Sequence, residues 1–128
     1  MAETEKVSFN ISVVDLGKMD VLVEQGHYAS RTDFLVAAVR TQLHTHVDTM
    51  QELFTRQSPV IGATIYGRKM LEQLVAKGKT LDISVVGLCM FTKDVTPELA
   101  RSAVHSLKVR GTLRASAEVK EALRERMV

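Results

Sequence analysis

The sequence has few of the residues that mark secreted, membrane-bound or disulfide-linked proteins. Its one cysteine, Cys89, excludes an intramolecular disulfide and is typical of a reducing compartment. No apolar run approaches the length of a membrane span. The opening residues, MAETEKV, lack the apolar stretch of a signal peptide. We therefore expect a cytoplasmic protein with no membrane partner.

The sequence also lacks the common motifs of catalysis and metal binding. It contains no HExxH, no CxxC, no nucleophile elbow and no glycine-rich phosphate loop. Four histidines are present with Cys89, but His44 and His46 lie two residues apart in a predicted helix, where their side chains point to different faces. We therefore expect no enzyme, no metal site and no cofactor.

Charge is distributed unevenly along the 128 residues. The net charge is +2, yet residues 1–56 hold five Lys/Arg against eight Asp/Glu, and residues 57–128 hold twelve against seven. Apolar residues make up 45% and charged residues 25%, which is normal for a folded protein. The acidic N-terminal part counts against nucleic-acid binding there, because neutralising phosphates supplies much of that affinity.

Residues 6–12 (KVSFNIS) alternate between polar and apolar side chains, which predicts a half-buried strand. The apolar face carries Val7, Phe9 and Ile11, and the polar face carries Lys6, Ser8, Asn10 and Ser12. No hairpin partner is nearby, and a lone strand leaves its backbone groups unpaired. The strand therefore pairs either with a second chain, which gives a dimer, or as an edge strand with a distant segment.

Two helices are predicted after this strand. The first spans Asp15–Gln25 and stops before Gly26, a residue suited to the position beyond a helix end. The second begins after Ser30, a good N-cap, and its apolar residues recur at helical spacing as far as Phe54. We expect a long amphipathic helix that ends near Gln57, before Pro59, and residues 47–57 are either its rigid continuation or a hinge.

The C-terminal half contains an internal repeat with a period of 24 residues. The shift aligns ISVVG at 83–87 with LKVRG at 107–111, and TKDV at 92–95 with SAEV at 116–119. A fainter copy sets Ile61 and Ile65 under Val85 and Cys89. Each copy predicts a strand, a small polar cap and a short helix, and repeated strand–helix units stack their strands in parallel. Because Cys89 matches Leu113 in the next copy, we expect it to be a core residue.

The first 46 residues resemble the ribbon-helix-helix superfamily of repressors, which includes the methionine and Arc repressors and the plasmid copy-control proteins. The resemblance combines the opening strand, the short helix that ends at Gly26, and the segment Tyr28-Ala29-Ser30-Arg31-Thr32-Asp33. That segment is similar to the family's Gly-x-Tyr-x-Ser-Arg-Ser/Thr-Glu opening of its second helix, with Asp33 in place of Glu.

The resemblance implies an antiparallel strand pair, one strand from each subunit, that enters the major groove of double-stranded DNA. Lys6, Ser8 and Asn10 would then contact base edges, and Ser30, Arg31 and Thr32 would contact a phosphate. The residues expected in the dimer core are Val7, Phe9, Ile11, Leu35 and Val39.

The combined expectation is an α+β protein with three parts. Residues 1–46 form the ribbon-helix-helix module, residues 47–58 a helical continuation or linker, and residues 59–128 a strand–helix repeat domain that mediates further assembly. The expected function is a homodimeric, sequence-specific transcriptional repressor. Two alternatives stay open: an antitoxin-type protein whose C-terminal part binds a protein partner, and a DNA-segregation or scaffold protein whose C-terminal part polymerises.

Overall fold

A computed structural model describes residues 3–128, which form six α-helices and three strands among these residues. The elements are α1 (Val13–Glu24), α2 (Arg31–Thr45), α3 (Val47–Gln57), β1 (Val60–Tyr66), α4 (Arg68–Ala76), β2 (Leu81–Phe91), α5 (Pro97–Ala103), β3 (Val104–Arg114) and α6 (Ala117–Leu123). A short 3-10 helix, Arg124–Arg126, follows α6. The chain divides into an N-terminal unit, residues 4–56, and a C-terminal unit, residues 57–128 with Glu3.

The first helix of the N-terminal unit begins two residues earlier than predicted. The Ser12 hydroxyl accepts a hydrogen bond from the Asp15 amide at 3.1 Å and so caps α1. Ser12 is therefore a helix cap, and its assignment to the polar face of a strand was wrong. At the other end, Gly26 adopts a φ of +82°, as expected for a residue just beyond a helix.

The second predicted helix is two helices, because the chain leaves helical geometry at His46. This residue has φ −105° and ψ 15° and separates α2 from α3. The β-branched residues Thr45 and Val47 flank it, and the Thr45 hydroxyl donates to the Thr41 carbonyl at 3.1 Å. Both features weaken a helix locally. Apolar periodicity continues across the break, and for this reason the sequence pattern could not decide between a rigid continuation and a hinge after residue 46.

The C-terminal unit is built on a parallel three-stranded sheet in the order β1-β2-β3. The register of β2 and β3 pairs Ile83 with Leu107 and Gly87 with Gly111, which is the 24-residue repeat. The predictions of an α+β protein and of parallel repeated strands are confirmed. Helices α4, α5 and α6 supply side chains to one core with the sheet.

Two details of the repeat differ from the prediction. Strand β1 pairs Val60, not Ile61, with Val85, so its register is shifted by one residue. Ile61 and Ile65 consequently lie on the sheet face opposite the core. Helix α5 is capped by Thr96, whose hydroxyl accepts from the Leu99 amide, and not by Thr92. The next residue, Pro97, favours the first helical position and fixes this start.

A glycine from each strand lies at one level of the sheet: Gly62, Gly87 and Gly111 are paired in register. Their φ angles are +126°, +135° and +123°, a region that side chains rarely adopt. A Cβ on Gly87 would lie 2.0 Å from the Gly62 carbonyl oxygen, and one on Gly111 would lie 2.2 Å from that of Gly87. The close approach of the strands therefore requires glycine at this level.

The core lies between the sheet and its helices and contains Cys89, as predicted. Its buried residues are Leu71, Ile83, Val85, Cys89, Phe91, Val95, Ala100, Ala103, Val104, Leu107, Val119 and Leu123. The two sheet edges differ. The outer edge of β3 is partly covered by the chain end, where the Val128 amide donates to the Leu107 carbonyl at 3.0 Å. Strand β1 has no neighbour on its outer side among the described residues.

Candidate nucleic-acid interface

The segment before α1 is the first part of the candidate interface. Within residues 3–128, residues 6–11 lie in no strand, so the predicted strand joins no sheet of its own subunit. Its apolar residues are strongly exposed: Val7 is 79% exposed and Phe9 65%. These side chains therefore bury little apolar surface against their own chain.

Most of the residues predicted to form a dimer core surround one open groove. Val7, Phe9 and Ile11 line it together with Leu16 and Met19 of α1 and Leu35 of α2. The cavity measures about 250 Å³, and its other lining residues are Ser8 and Arg31. Val39, also predicted for this core, does not line the groove and is exposed.

The N-terminal unit has almost no core of its own. Among residues 4–56, Met19 alone is buried, at 4% exposure. Val39 and Leu43 of α2 are more than half exposed. A small domain depends on buried apolar area for its stability, and this unit buries little of it within a single chain.

The predicted base-contacting residues are all exposed on the extended segment. Lys6, Ser8 and Asn10 occupy alternate positions, and each side chain is accessible to solvent. Ser8 also lines the groove, so it lies beside the apolar side chains as well as being exposed to solvent. Two of the three, Lys6 and Asn10, are free of the groove and carry the side-chain types that read guanine and adenine.

Two side chains cap the start of α2. The Ser30 hydroxyl accepts from the Asp33 amide at 3.1 Å, and an Asp33 carboxylate oxygen accepts from the Ala29 amide at 3.1 Å. The arrangement is similar to a capping box, but Asp33 binds the amide of the residue before the N-cap and not that of the N-cap itself. The predicted N-cap role of Ser30 is confirmed. As in any helix, the amides of Arg31 and Thr32 have no acceptor within the first turn.

Arg31 forms an ion pair with Asp20 that joins α2 to α1. The Arg31 Nε–Asp20 Oδ1 and Arg31 Nη2–Asp20 Oδ2 distances are both 2.8 Å, so the pair is bidentate. Hydrogen bonding to Arg31 lowers the pKa of Asp20, and the carboxylate in turn raises the pKa of Arg31. Both side chains keep substantial exposure, so the guanidinium remains accessible from solvent.

Sequence reasoning missed two contributors to this geometry. Asp20 lies on the first helix, eleven residues before Arg31, and only its position on the helix face that meets α2 could have identified it. Tyr28 and Phe34 contact each other edge to face with ring centroids 4.9 Å apart. This contact fastens the turn before α2 onto the helix itself, and the six-residue spacing across a turn gave no periodic signal.

The rest of the described chain offers no competing metal or membrane site. No cluster of three or more metal-ligating residues occurs within residues 3–128. No helix in the same range has the length and apolar character needed to cross a bilayer. Cys89 is buried, and this burial raises the pKa of its thiol, which disfavours the reactive thiolate.

Comparison with known proteins gives one result. The Ribbon-Helix-Helix transcriptional regulator family matches residues 2–120. No curated protein and no solved structure matches the chain. The family match extends well beyond the 46 residues that carried the resemblance and includes most of the repeat domain, which sequence reasoning had left unrecognised. The chain therefore belongs to the ribbon-helix-helix transcriptional regulator family.

Proposed function

We propose that this protein is a sequence-specific repressor that binds double-stranded DNA as a homodimer. Two extended segments, one from each subunit, pair antiparallel, and the ribbon they form enters the major groove. The observation that carries the proposal is the state of the N-terminal unit, in which an unpaired apolar segment borders an open apolar groove.

A second subunit supplies what this unit lacks. Pairing two extended segments satisfies their backbone N–H and C=O groups, which an isolated strand leaves open. It also covers Val7 and Phe9 against the partner's helices. Burying apolar surface contributes roughly 25 cal/mol per Å², so side chains of this size stabilise a dimer appreciably. Val39 and Leu43, exposed in the single chain, belong to the same interface.

Base recognition is assigned to the polar side of the ribbon. Lys6 donates to guanine O6 or N7, Asn10 pairs with adenine through two hydrogen bonds, and Ser8 accommodates either base. Each good pair discriminates against a wrong base by about 1–3 kcal/mol. The two-fold axis of the dimer repeats this set, so the operator is expected to contain two related half-sites.

The first turn of α2 is assigned to a phosphate. The amides near Ser30 and Thr32 present the positive end of a helix, which attracts anions. Arg31 adds charge when its guanidinium exchanges Asp20 for a phosphate oxygen. That exchange costs little, because an exposed ion pair contributes weakly to stability.

The acidic balance of residues 1–56 requires a second source of affinity. Further assembly through the C-terminal domain brings several ribbons onto one operator, so that individually weak contacts combine. The five extra positive charges of residues 57–128 act in the same direction. The folded core of that domain favours this assembly role over an antitoxin tail, since such tails are usually disordered.

The test is DNA binding by Lys6→Ala and Asn10→Ala variants. Anisotropy is measured on a duplex from upstream of the protein's own gene and on a shuffled duplex. Each substitution is expected to reduce affinity for the upstream duplex about ten-fold or more and to leave the shuffled duplex much less affected. Lys18→Ala, which removes one exposed charge from α1, is the matched control. Unchanged affinity in both ribbon variants would refute the assignment.

A further inference from the structure

We infer that β1 is an interface between two copies of this chain, joined edge to edge so that two three-stranded sheets become one of six strands. The inference concerns the C-terminal unit alone and does not depend on how DNA is bound. Within residues 3–128, the outer edge of β1 pairs with no other strand, whereas the outer edge of β3 is covered in part by the last residues.

The side chains of β1 make this edge unusually prone to pairing. The strand reads VIGATIY and carries no charge and no proline. Proteins usually protect exposed edge strands with lysines, prolines or a covering segment. Ile61 and Ile65 are 63% and 62% exposed, and both lie on the sheet face opposite the core. An edge of this kind is a template for pairing with another strand.

The backbone of β1 presents the right groups to a partner. The Tyr66 carbonyl accepts the Thr92 amide at 3.1 Å, so it faces β2, and the Gly62 carbonyl faces Gly87. Backbone groups alternate along a strand, so the N–H and C=O groups of Ile61, Ala63 and Ile65 face the open side. These three residues are the available donors and acceptors.

A second copy of the same strand fits these groups in one register. A two-fold axis perpendicular to the sheet, passing beside Ala63, sets Ala63 opposite its own equivalent and Ile61 opposite Ile65. Each of these pairs exchanges two backbone hydrogen bonds, and all seven residues of β1 overlap. On the core side the same register sets Val60 opposite Tyr66. Every polar backbone group that faces outward finds a partner.

Charge favours a copy of this chain over a foreign strand. When a strand meets itself about a two-fold axis, any charged residue near the axis would face a like charge, which destabilises the pair. The absence of charge from β1 removes that obstacle. Apolar contact also continues beyond the edge, because β2 sets Val86 beside Ile61 and Met90 beside Ile65 on the same face. The pairing is isologous, the commonest arrangement of identical subunits.

Growth beyond two sheets is disfavoured at the outer edge of β3. The last residues cover that edge only at Leu107, through the Val128 amide and a bridge to Met127, but the strand also carries Lys108 and Arg110. Charged residues of this kind protect an edge strand from pairing, so we expect the edge interface to join two copies and not to form a fibre.

The test is thiol cross-linking of full-length Ala63→Cys with a short bifunctional reagent. The equivalent positions lie about 5.5 Å apart between Cα atoms in a hydrogen-bonded pair, so a covalent dimer is expected. Buried Cys89 does not compete for the reagent. Val75→Cys, an exposed position on α4, is the control and should cross-link poorly.

Charge substitutions around Ala63→Cys test the register itself. Adding Ile61→Lys and Ile65→Lys sets like charges opposite each other, and we expect at least a ten-fold loss of cross-linked dimer. Adding Ile61→Lys and Ile65→Glu instead sets opposite charges across the axis, and we expect the dimer to return. Both pairs of substitutions lie at exposed positions, and circular dichroism verifies that each variant is folded.

The outcomes separate this inference from the proposed function. Equal cross-linking of the Ala63→Cys and Val75→Cys proteins would overturn the edge interface, even if DNA binding is normal. A yield of cross-linked dimer that does not change with the charges at residues 61 and 65 would do the same. Conversely, charge-dependent cross-linking in a protein that fails to bind DNA would support the edge interface and contradict only the DNA-binding proposal.

Discussion

The requirement for glycine at the level of Gly62, Gly87 and Gly111 in the sheet can be tested by adding one methyl group. Gly87→Ala introduces a Cβ 2.0 Å from the Gly62 carbonyl oxygen, at a φ of +135°. The backbone strain alone costs about 1–3 kcal/mol, and the overlap with a main-chain atom adds to it. We therefore expect a marked loss of stability in urea denaturation of the C-terminal unit.

Gly17→Ala is the matched control for this substitution. Gly17 lies inside α1, and a Cβ there meets no atom within 4 Å. Since alanine favours a helix over glycine by up to about 1 kcal/mol, this change is expected to be neutral or stabilising. If Gly87→Ala behaves like Gly17→Ala, the three strands do not approach each other as closely as described.

At the scale of elements, the Asp20–Arg31 pair makes the contact of α1 and α2 sensitive to acid. Arg31 lowers the pKa of Asp20 below the ordinary value of 3.8. The pair's contribution to stability is therefore complete above about pH 3.8 and is lost as the pH falls through the lowered pKa. We expect the midpoint of thermal unfolding to fall more steeply below pH 4 in the wild type than in Asp20→Asn.

A double-substitution cycle isolates this pair from other carboxylates. In an Arg31→Gln background the wild-type aspartate loses its partner, so Asp20→Asn should no longer change the acid dependence. A difference that persists without Arg31 would assign the effect to another group.

The elements also explain how far the sequence could predict the fold. Alternation and helical spacing located α1, α2 and the repeated strands because each element carries its apolar side chains on one face. The break at His46 stayed undecided between a helical continuation and a hinge, because apolar spacing continues through it. The register of β1 was misplaced by one residue because Val60 and Ile61 are equally apolar, so either could be aligned with Val85. Aligning Gly62 with Gly87 would have given the correct register.

At the scale of the whole molecule, stability should depend on protein concentration. The N-terminal unit buries only Met19 among residues 4–56, so its folding depends on association in the proposed dimer. We expect the unfolding midpoint of this unit, followed by the helical circular dichroism signal, to rise when the full-length protein is concentrated a hundred-fold.

A variant with a charge in the groove provides the comparison. Phe9→Asp places a carboxylate where apolar contact is proposed, and it should unfold at lower temperature with a reduced mass by light scattering. A midpoint independent of concentration in the wild type would mean that the unit is stable as a single chain.

The candidate site was predictable only in part, for a physical reason. Val7, Phe9, Ile11 and Leu35 were recognised because the strand and helix periods set them on apolar faces, and they do meet around one groove. The pairing of Arg31 with Asp20 joins two elements at distant positions in the chain, and no local pattern records such a contact.

The extended segment before α1 has a consequence for how this protein can change. Its side chains alternate strictly, so the proposed operator contacts and the proposed subunit contacts occupy interleaved positions of one short stretch. Substitutions at residues 6 and 10, which do not line the groove, can retarget the protein to another operator and leave its assembly intact. A single insertion or deletion in the same stretch would exchange the two faces and abolish both properties together.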